Sequence, residues 1–195
     1  MGTREKWNDR YRAATGDQPA PRVLRENLHL LPCDGCALDL ACGLGGNALL
    51  LAEQGLDVDA WDSAEVAIAA LQDMASKRKL PVKARVRDVE ENPPDPETFD
   101  VIVVSYFLER GIIPDLIQAL KPGGLIYYQT FTRQRVSERG PQRAEYRLAD
   151  QEFLHLFSEL QILFYREDGC AGDMQQGLRD EAMLVGRKRP APGAG

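Results

Sequence analysis

Positive charge, histidine and long apolar runs are all scarce in this chain of 195 residues. Lys and Arg number 24 against 30 Asp and Glu, for a formal net charge of −6. Nucleic-acid binding needs clustered cations against phosphates, so this balance argues against a large RNA or DNA substrate. The two histidines, His29 and His155, stand at helix-like positions without ligand spacing. Of the four cysteines, Cys33 and Cys36 make one Cys-x-x-Cys pair, Cys42 lies inside a glycine loop and Cys170 is remote. A zinc site takes about four ligands, so no metal centre is expected and the cysteines read as reduced thiols. The longest apolar candidate, Ile112 to Leu120, is short and holds Pro114 and Asp115, which argues against a membrane span. The first residues are polar with no apolar core behind them, so no secretory signal is expected. Gly2 follows Met1, but Lys6 stands where a myristoylation signal needs Ser or Thr. A cytoplasmic protein is the resulting expectation.

What the chain does have is an alternation of apolar strands and helices, on a length that suits one domain. Arg4 to Arg12 reads as a helix with Trp7 and Tyr11 on one face. Gly16 to Pro21 breaks it, and Val23 to Leu31 reads as a second helix ended by Pro32. Strands follow at Cys36 to Leu40, Leu56 to Trp61, Val82 to Arg87, Phe99 to Ser105 and Leu125 to Phe131. Between them lie helices at Asn47 to Gln54, Ala64 to Lys79 (with Ser63 as its N-cap) and Ile112 to Leu120, while Pro122-Gly123-Gly124 reads as a turn. Val101-Ile102-Val103-Val104 is a continuous apolar run of the kind a sheet shows when both faces are covered. This pattern predicts an α/β fold with a doubly wound, Rossmann-like parallel sheet and helices on both faces. Beyond it, Ala149 to Phe157 reads as a helix, and Gln161 to Tyr165 and Ala182 to Arg187 as a closing antiparallel pair. The division expected is an N-terminal helical arm over 1–31, a main domain over 32–188 and a disordered tail over 189–195.

The chemistry concentrates in Leu38-Asp39-Leu40-Ala41-Cys42-Gly43-Leu44-Gly45-Gly46. Gly43 and Gly45 leave a turn without side-chain bulk, so a ligand can lie against the backbone. Gly43-x-Gly45-x-x-Ala48 after a strand also satisfies the dinucleotide fingerprint, which cradles a pyrophosphate at a helix N-terminus. The acids tilt the choice. Asp39 precedes the glycines, where a carboxylate suits an ammonium and repels a pyrophosphate. Asp62 ends the second strand, where an acid accepts from both ribose hydroxyls. Asp88 ends the third, placed to accept from an adenine amine while the Val89 amide faces a ring nitrogen. Three acids at successive strand ends fit a cationic adenosyl amino acid better than a dinucleotide. Arg133, Arg135, Arg139, Arg143 and Arg147 form a basic cluster in a net acidic chain. They read as a solvated loop, the alternative being guanidinium forks on an anionic group of the substrate.

The segment from Leu38 to Gly45 resembles the first motif of class I S-adenosylmethionine (SAM)-dependent methyltransferases. Asp62-Ser63 resembles their second-strand acid and Arg87-Asp88-Val89 their adenine-contacting segment. Phe99-Asp100-Val101-Ile102 and Leu120-Lys121-Pro122-Gly123-Gly124 resemble their fourth strand and the turn that follows. The likeness covers residues 36 to 131 as an ordered set. It implies a seven-stranded sheet with an antiparallel last strand, and SAM as cofactor. The cofactor-binding residues it selects, with the readings above, are Asp39, Ala41, Cys42, Gly43, Gly45, Asp62, Ser63, Asp88, Val89 and Ser105, together with Trp7 and Tyr11 of the first helix. Lys6-Trp7-Asn8-Asp9-Arg10-Tyr11, with Gly140-Pro141 and Tyr146-Arg147-Leu148, is similar to small tellurite-resistance-type and thiol methyltransferases. Glu109-Arg110 departs from the His-Arg of that subgroup.

The expected activity is methyl transfer from SAM to a small molecule, a thiol or a chalcogen oxyanion. A soft nucleophile needs little general-base help, and positioning carries much of the rate. Tyr106, Glu109 and Arg110, beyond the fourth strand, are the candidate acceptor contacts, with Tyr106 or Glu109 placed to take a proton. Trp7 and Tyr11 are expected to fold over the cleft as a lid. Cys42 is read as a small packing residue of the loop rather than a nucleophile. The competing readings are a methyltransferase acting on protein or RNA, a nicotinamide-dependent oxidoreductase, and a SAM-binding protein without catalysis.

Overall fold

The apolar run Val101-Ile102-Val103-Val104 forms the middle of the sheet in the computed structural model, which describes residues 4–13 and 18–190. The strands are β1 (Cys36–Leu40), β2 (Asp57–Asp62), β3 (Val82–Val86), β4 (Phe99–Ser105), β5 (Leu120–Phe131), β6 (Gln161–Arg166) and β7 (Glu181–Arg187). They hydrogen-bond in the order β3-β2-β1-β4-β5-β7-β6. The pairings from β3 to β5 are parallel, and β7 runs antiparallel to both β5 and β6. The seven-stranded doubly wound sheet with an antiparallel last strand is therefore present as expected.

Strand periodicity explains the two-sided core, because alternate side chains point to opposite faces. Ala37, Val101, Val103, Tyr127 and Val185 pack on one side with Val23 and Leu24 of α2 (Arg22–Glu26), Leu51 of α3 (Gly46–Glu53) and Leu71 of α4 (Glu65–Arg78). Leu38, Leu40, Ile102, Val104, Tyr128 and Leu184 pack on the other with Leu116 of α5 (Ile113–Ala119) and Phe153 of α6 (Glu152–Leu156). No helix among the described residues is long and apolar enough to cross a membrane.

Several local expectations need correction. The helix read over Val23 to Leu31 is two pieces, α2 and a 3-10 turn over Leu28–Leu30. Asn27 between them donates its side-chain amide to the Val23 carbonyl. Ser63 is not the N-cap of α4. Ala64 holds that position, and the Asp62 carboxylate accepts from the Ala64 amide instead. Pro122-Gly123-Gly124 is not a turn ahead of a strand but an irregularity inside β5. Leu120 pairs with Phe99, and the register resumes only at Leu125 opposite Val101. The helices at the C-terminal side are shorter than read: α5 is preceded by a 3-10 turn over Arg110–Ile112, and α6 is a five-residue helix. The arginine-rich loop is not simply a solvated surface. Arg147 is 1% exposed and donates to the carbonyls of Thr132, Arg139 and Pro141, so its buried guanidinium organises the loop from inside. The break at Gly16 and the tail from residue 191 onward lie outside the described residues.

Candidate active site

In the strand order, β1 and β4 are neighbours whose crossovers lead to opposite halves of the sheet, which opens a crevice at their carboxyl ends. Both strands leave the sheet through left-handed residues, Ala41 with φ 55° and Tyr106 with φ 56°. The glycine turn follows Ala41, with Gly43 at φ 52° and Gly45 at φ 81°. A side chain at Gly45 would collide with Leu71, 2.2 Å from the position of its Cβ. This glycine therefore serves packing of α3 against α4 as much as any ligand. Cys42 is buried in the core, as the packing reading expected.

Asp39 is fully buried on the α3 face of β1. Its carboxylate accepts from the Ala48 amide at 3.0 Å and from the Asn47 side-chain amide at 3.2 Å. Asn47 also donates to the Ser105 hydroxyl at 3.1 Å, tying the ends of β1 and β4 together. Its carbonyl oxygen Oδ1 is buried with no partner in the protein. A buried acceptor without a donor is costly and uncommon. Burial pushes the Asp39 carboxyl up to about 7; the bonds from Asn47 and Ala48 oppose that rise and the nearby Asp62 charge adds to it.

Asp62, at the end of β2, accepts from the Gly43 amide and from the Ala64 amide, both at 2.8 Å. It thus pins the glycine turn to the start of α4. Burial raises its pKa against these amide bonds. Ser63 follows it in the loop ahead of α4. Asp88 lies two residues beyond the end of β3, where it closes a local turn onto the Glu90 amide at 3.1 Å. Val89 is buried beside Trp61. The Arg87 guanidinium stacks over the Trp61 ring at 3.9 Å.

Helix α1 (Arg4–Ala13) lies over the glycine turn. Trp7 and Tyr11 stack at 6.1 Å and pack on Leu44, Ala64 and Ala67. The Tyr11 hydroxyl lies 2.9 Å from where a Cβ on Gly43 would stand. Burial, then the nearby Asp62 charge, pushes the phenol well above its ordinary range. Asn8 accepts from the Val66 amide at 3.1 Å, supplying to α4 the cap that Ser63 does not. Covering of the turn by Trp7 and Tyr11 is thus visible in the geometry.

The three acceptor-side candidates separate. Glu109 accepts from the Gly111 amide at 3.0 Å and caps the following 3-10 turn. Arg110 makes a two-pronged ion pair with Glu152, at 2.6 and 2.9 Å, and donates to the carbonyls of Glu145 and Arg147. Its guanidinium braces the loop and α6. Both residues line a recess of about 340 Å³ with Glu90 and Tyr146. A larger recess of about 670 Å³, lined by Gln134, Asp150, Tyr165 and Asp168 among others, likewise does not reach the glycine turn. Tyr106 alone of the three points toward a buried polar pair, Gln129 and Glu181, which the exposed Arg139 joins from outside. Of these, Arg139 belongs to the arginine cluster read from the sequence, while Gln129 and Glu181, with Asn8 and Asn47, carry no role in that reading. Glu181 opens β7 one residue ahead of the strand read over Ala182 to Arg187, and no motif marks it. Asn47 had a usable signal, since it directly follows the glycine turn at the head of α3. Among the described residues there is no cluster that could hold a metal ion.

Comparison with known proteins now bears on this arrangement. The profile of the family described as tellurite resistance protein TehB matches residues 20–169. Hemagglutinin 1 of Eikenella corrodens is 39% identical over 100 residues, covering 48% of this chain and 32% of that protein. A probable S-adenosyl-L-methionine-dependent methyltransferase TehB of Haemophilus influenzae is 37% identical over 93 residues, 46% of this chain and 32% of its own length. The chain thus spans about a third of the length of the curated relatives it matches. The crystal structure of TehB from Haemophilus influenzae superposes with a TM-score of 0.72 at 23% identity, over 94% of this chain and 67% of that one.

Proposed function

The chain belongs to the TehB family, and from that premise we propose that it transfers a methyl group from SAM to a small acceptor, a thiol or a chalcogen oxyanion. The observation that carries this reading is the set of acceptors gathered around the glycine turn. Asp39 and the orphaned Asn47 Oδ1 form a buried corner rich in acceptors, which is the complement of an ammonium. Asp62 stands at the next strand end, where a ribose diol would meet it, and Asp88 and Val89 at the one after. A pyrophosphate would face carboxylates in the same place. The residues therefore fit SAM, with Ala41, Cys42, Gly43 and Gly45 as the bare cradle, Ser63 beside Asp62 and Ser105 held by Asn47. Bound there, SAM supplies an electrophilic methyl on a sulfonium. The chain's own residues hold it, orient the acceptor and exclude water.

Residues 4–13 act as the lid in this reading, and a close lid suits a small acceptor better than a protein or RNA. Production of S-adenosylhomocysteine is the direct test, with a panel of thiols and chalcogen oxyanions set against protein and RNA substrates. Turnover confined to the macromolecules would overturn the small-acceptor assignment. Replacing both Trp7 and Tyr11 by Ala should lower turnover of a small thiol at least about tenfold, the share of the barrier expected from water exclusion and alignment. The melting temperature should fall by only a few degrees, since the helix rests on one small cluster. Unchanged turnover would make α1 a passive arm.

Cofactor affinity should also depend on pH through Asp39. Its folded pKa of about 7 exceeds the ordinary carboxylate value of 3.8. The folded protein thus binds this proton more tightly than the unfolded chain does. Stability from this group is largest below about 4, declines as pH rises toward about 7 and is level above. An ammonium needs the ionised form, so SAM affinity should do the opposite. It should rise by up to tenfold per pH unit below about 7 and flatten above. Calorimetric titration from pH 5.5 to 8.5 should show that bend, and Asp39→Asn should remove it. A flat wild-type profile would take Asp39 out of contact with the ammonium.

A further inference from the structure

Behind Tyr106 lies a buried carboxylate that neither a motif nor a resemblance assigns. The β5–β7 register places Phe131 opposite Glu181 and Gln129 opposite Met183. Alternation then turns Gln129, Phe131 and Glu181 to one face. Tyr106, leaving β4 beside Gln129, stacks on Phe131 at 5.1 Å. Glu181 is only 4% exposed. Its carboxylate accepts from the Gln129 side chain at 2.5 Å, the Tyr106 hydroxyl at 3.3 Å and Arg139 at 2.9 Å.

The direction of each bond in this group is fixed. The Val23 amide donates to Gln129 Oε1 at 2.8 Å, so Gln129 Nε2 is the donor toward Glu181 and toward the Tyr106 oxygen at 3.1 Å. With Gln129 donating to the phenol oxygen, the phenol hydrogen is directed at Glu181. Arg139, an exposed side chain, is the other donor within reach of that oxygen, on a residue that is 41% exposed at the crevice. Arg139 sets a positive charge 2.9 Å from Glu181 Oε1. Glu109, the other proton-acceptor candidate, is spent on a backbone amide instead.

We propose that Tyr106 and Glu181 form a proton-accepting relay for acceptors that arrive protonated, such as alkyl thiols. This rests on the methyl-transfer reading above. The acceptor sulfur forms its bond to the methyl carbon as the carbon–sulfonium bond breaks. Its proton moves to the Tyr106 oxygen, in place of the exposed Arg139 donor, while the phenol proton moves to Glu181 Oε2. The sulfonium charge is lost with the departing thioether, Glu181 ends neutral, and its proton returns through Tyr106 to water. Tyr106 is a catalytic residue in this scheme; Gln129 and Arg139 are positioning residues.

The test compares an alkyl thiol, mostly protonated at pH 7, with an acidic aryl thiol that is already a thiolate. General-base assistance is worth about 10²–10⁴-fold. Tyr106→Phe and Glu181→Gln should each lose at least about tenfold more kcat on the alkyl thiol than on the aryl thiol. Equal losses on both, or no loss on the alkyl thiol, would overturn the relay. Tyr106 is half exposed, so its variant carries the comparison if Glu181→Gln does not fold. A second readout needs no turnover. Glu181 and Arg139 are the charged groups facing the phenol, and burial together with Glu181 pushes its pKa up to about 12. Tyrosinate absorbance, taken as the difference from Tyr106→Phe, should therefore titrate at lower pH when Arg139→Gln and Glu181→Gln are combined than in Arg139→Gln alone. No shift would show that the carboxylate does not hold the phenol. SAM binding measured on the same proteins reports separately on the methyl-transfer reading, and a wild type that binds no SAM would remove both.

Discussion

Gly43→Val should eliminate measurable SAM binding while leaving the sheet assembled. Gly43 sits at φ 52°, a conformation that a β-branched residue reaches only with strain. Its Cβ would stand 2.9 Å from the Tyr11 hydroxyl, so the new side chain fills the layer between the turn and α1. The proposed cofactor would take the place that the Tyr11 ring fills against the turn, with α1 moved outward as its cover. The Gly43 amide donates to Asp62, and a shift of the turn would carry that link with it. Neighbouring Ala41 holds φ 55° with a side chain, so the loop tolerates one left-handed residue and the fold should survive. Calorimetry should give no heat with SAM at concentrations that saturate wild type, with circular dichroism unchanged. Gly43→Ala should bind more weakly than wild type but detectably. A folded Gly43→Val protein with wild-type affinity would show that the turn is not the cradle.

The parts of this molecule readable in its sequence are those set by local chemistry. A continuous apolar run such as Val101 to Val104 admits few uses other than a covered strand. A strand followed by Gly43-x-Gly45 and then a helix specifies its own turn. What was not readable depends on long-range closure. Ser63 precedes α4 as an N-cap should, yet Asn8, far away in sequence, accepts from the Val66 amide and Asp62 from that of Ala64. Arg147 looks like one more surface arginine, but three carbonyls of a folded-back loop draw it inside. Glu181 acquires its setting only when β7 is threaded between β5 and β6. For Asn8 and Glu181 the partner lies across the fold, where no spacing rule along the chain could supply it; Asp62 and Arg147 are held nearer in sequence, by turns whose path the sequence does not specify.

Asp62→Ala should produce two separable losses. The first is of stability. The carboxylate accepts from the Gly43 and Ala64 amides at 2.8 Å each, and Asp62 is 7% exposed. Each amide left buried without an acceptor costs about 1–3 kcal/mol, so denaturant unfolding should show a drop of about 2–6 kcal/mol. The second loss is of cofactor affinity. A charge-assisted pair to a ribose diol is worth about 1.5–3 kcal/mol, which is roughly a 10–150-fold rise in Kd. Asp62→Asn tells the two apart. Its single amide oxygen can still accept one backbone hydrogen, so it should recover part of the stability. It carries no charge and turns an NH₂ group toward the other partner, so SAM affinity should stay low. If Asp62→Asn restored stability and bound SAM as wild type does, Asp62 would be a clamp of the glycine turn alone, and the ribose would have to be held elsewhere.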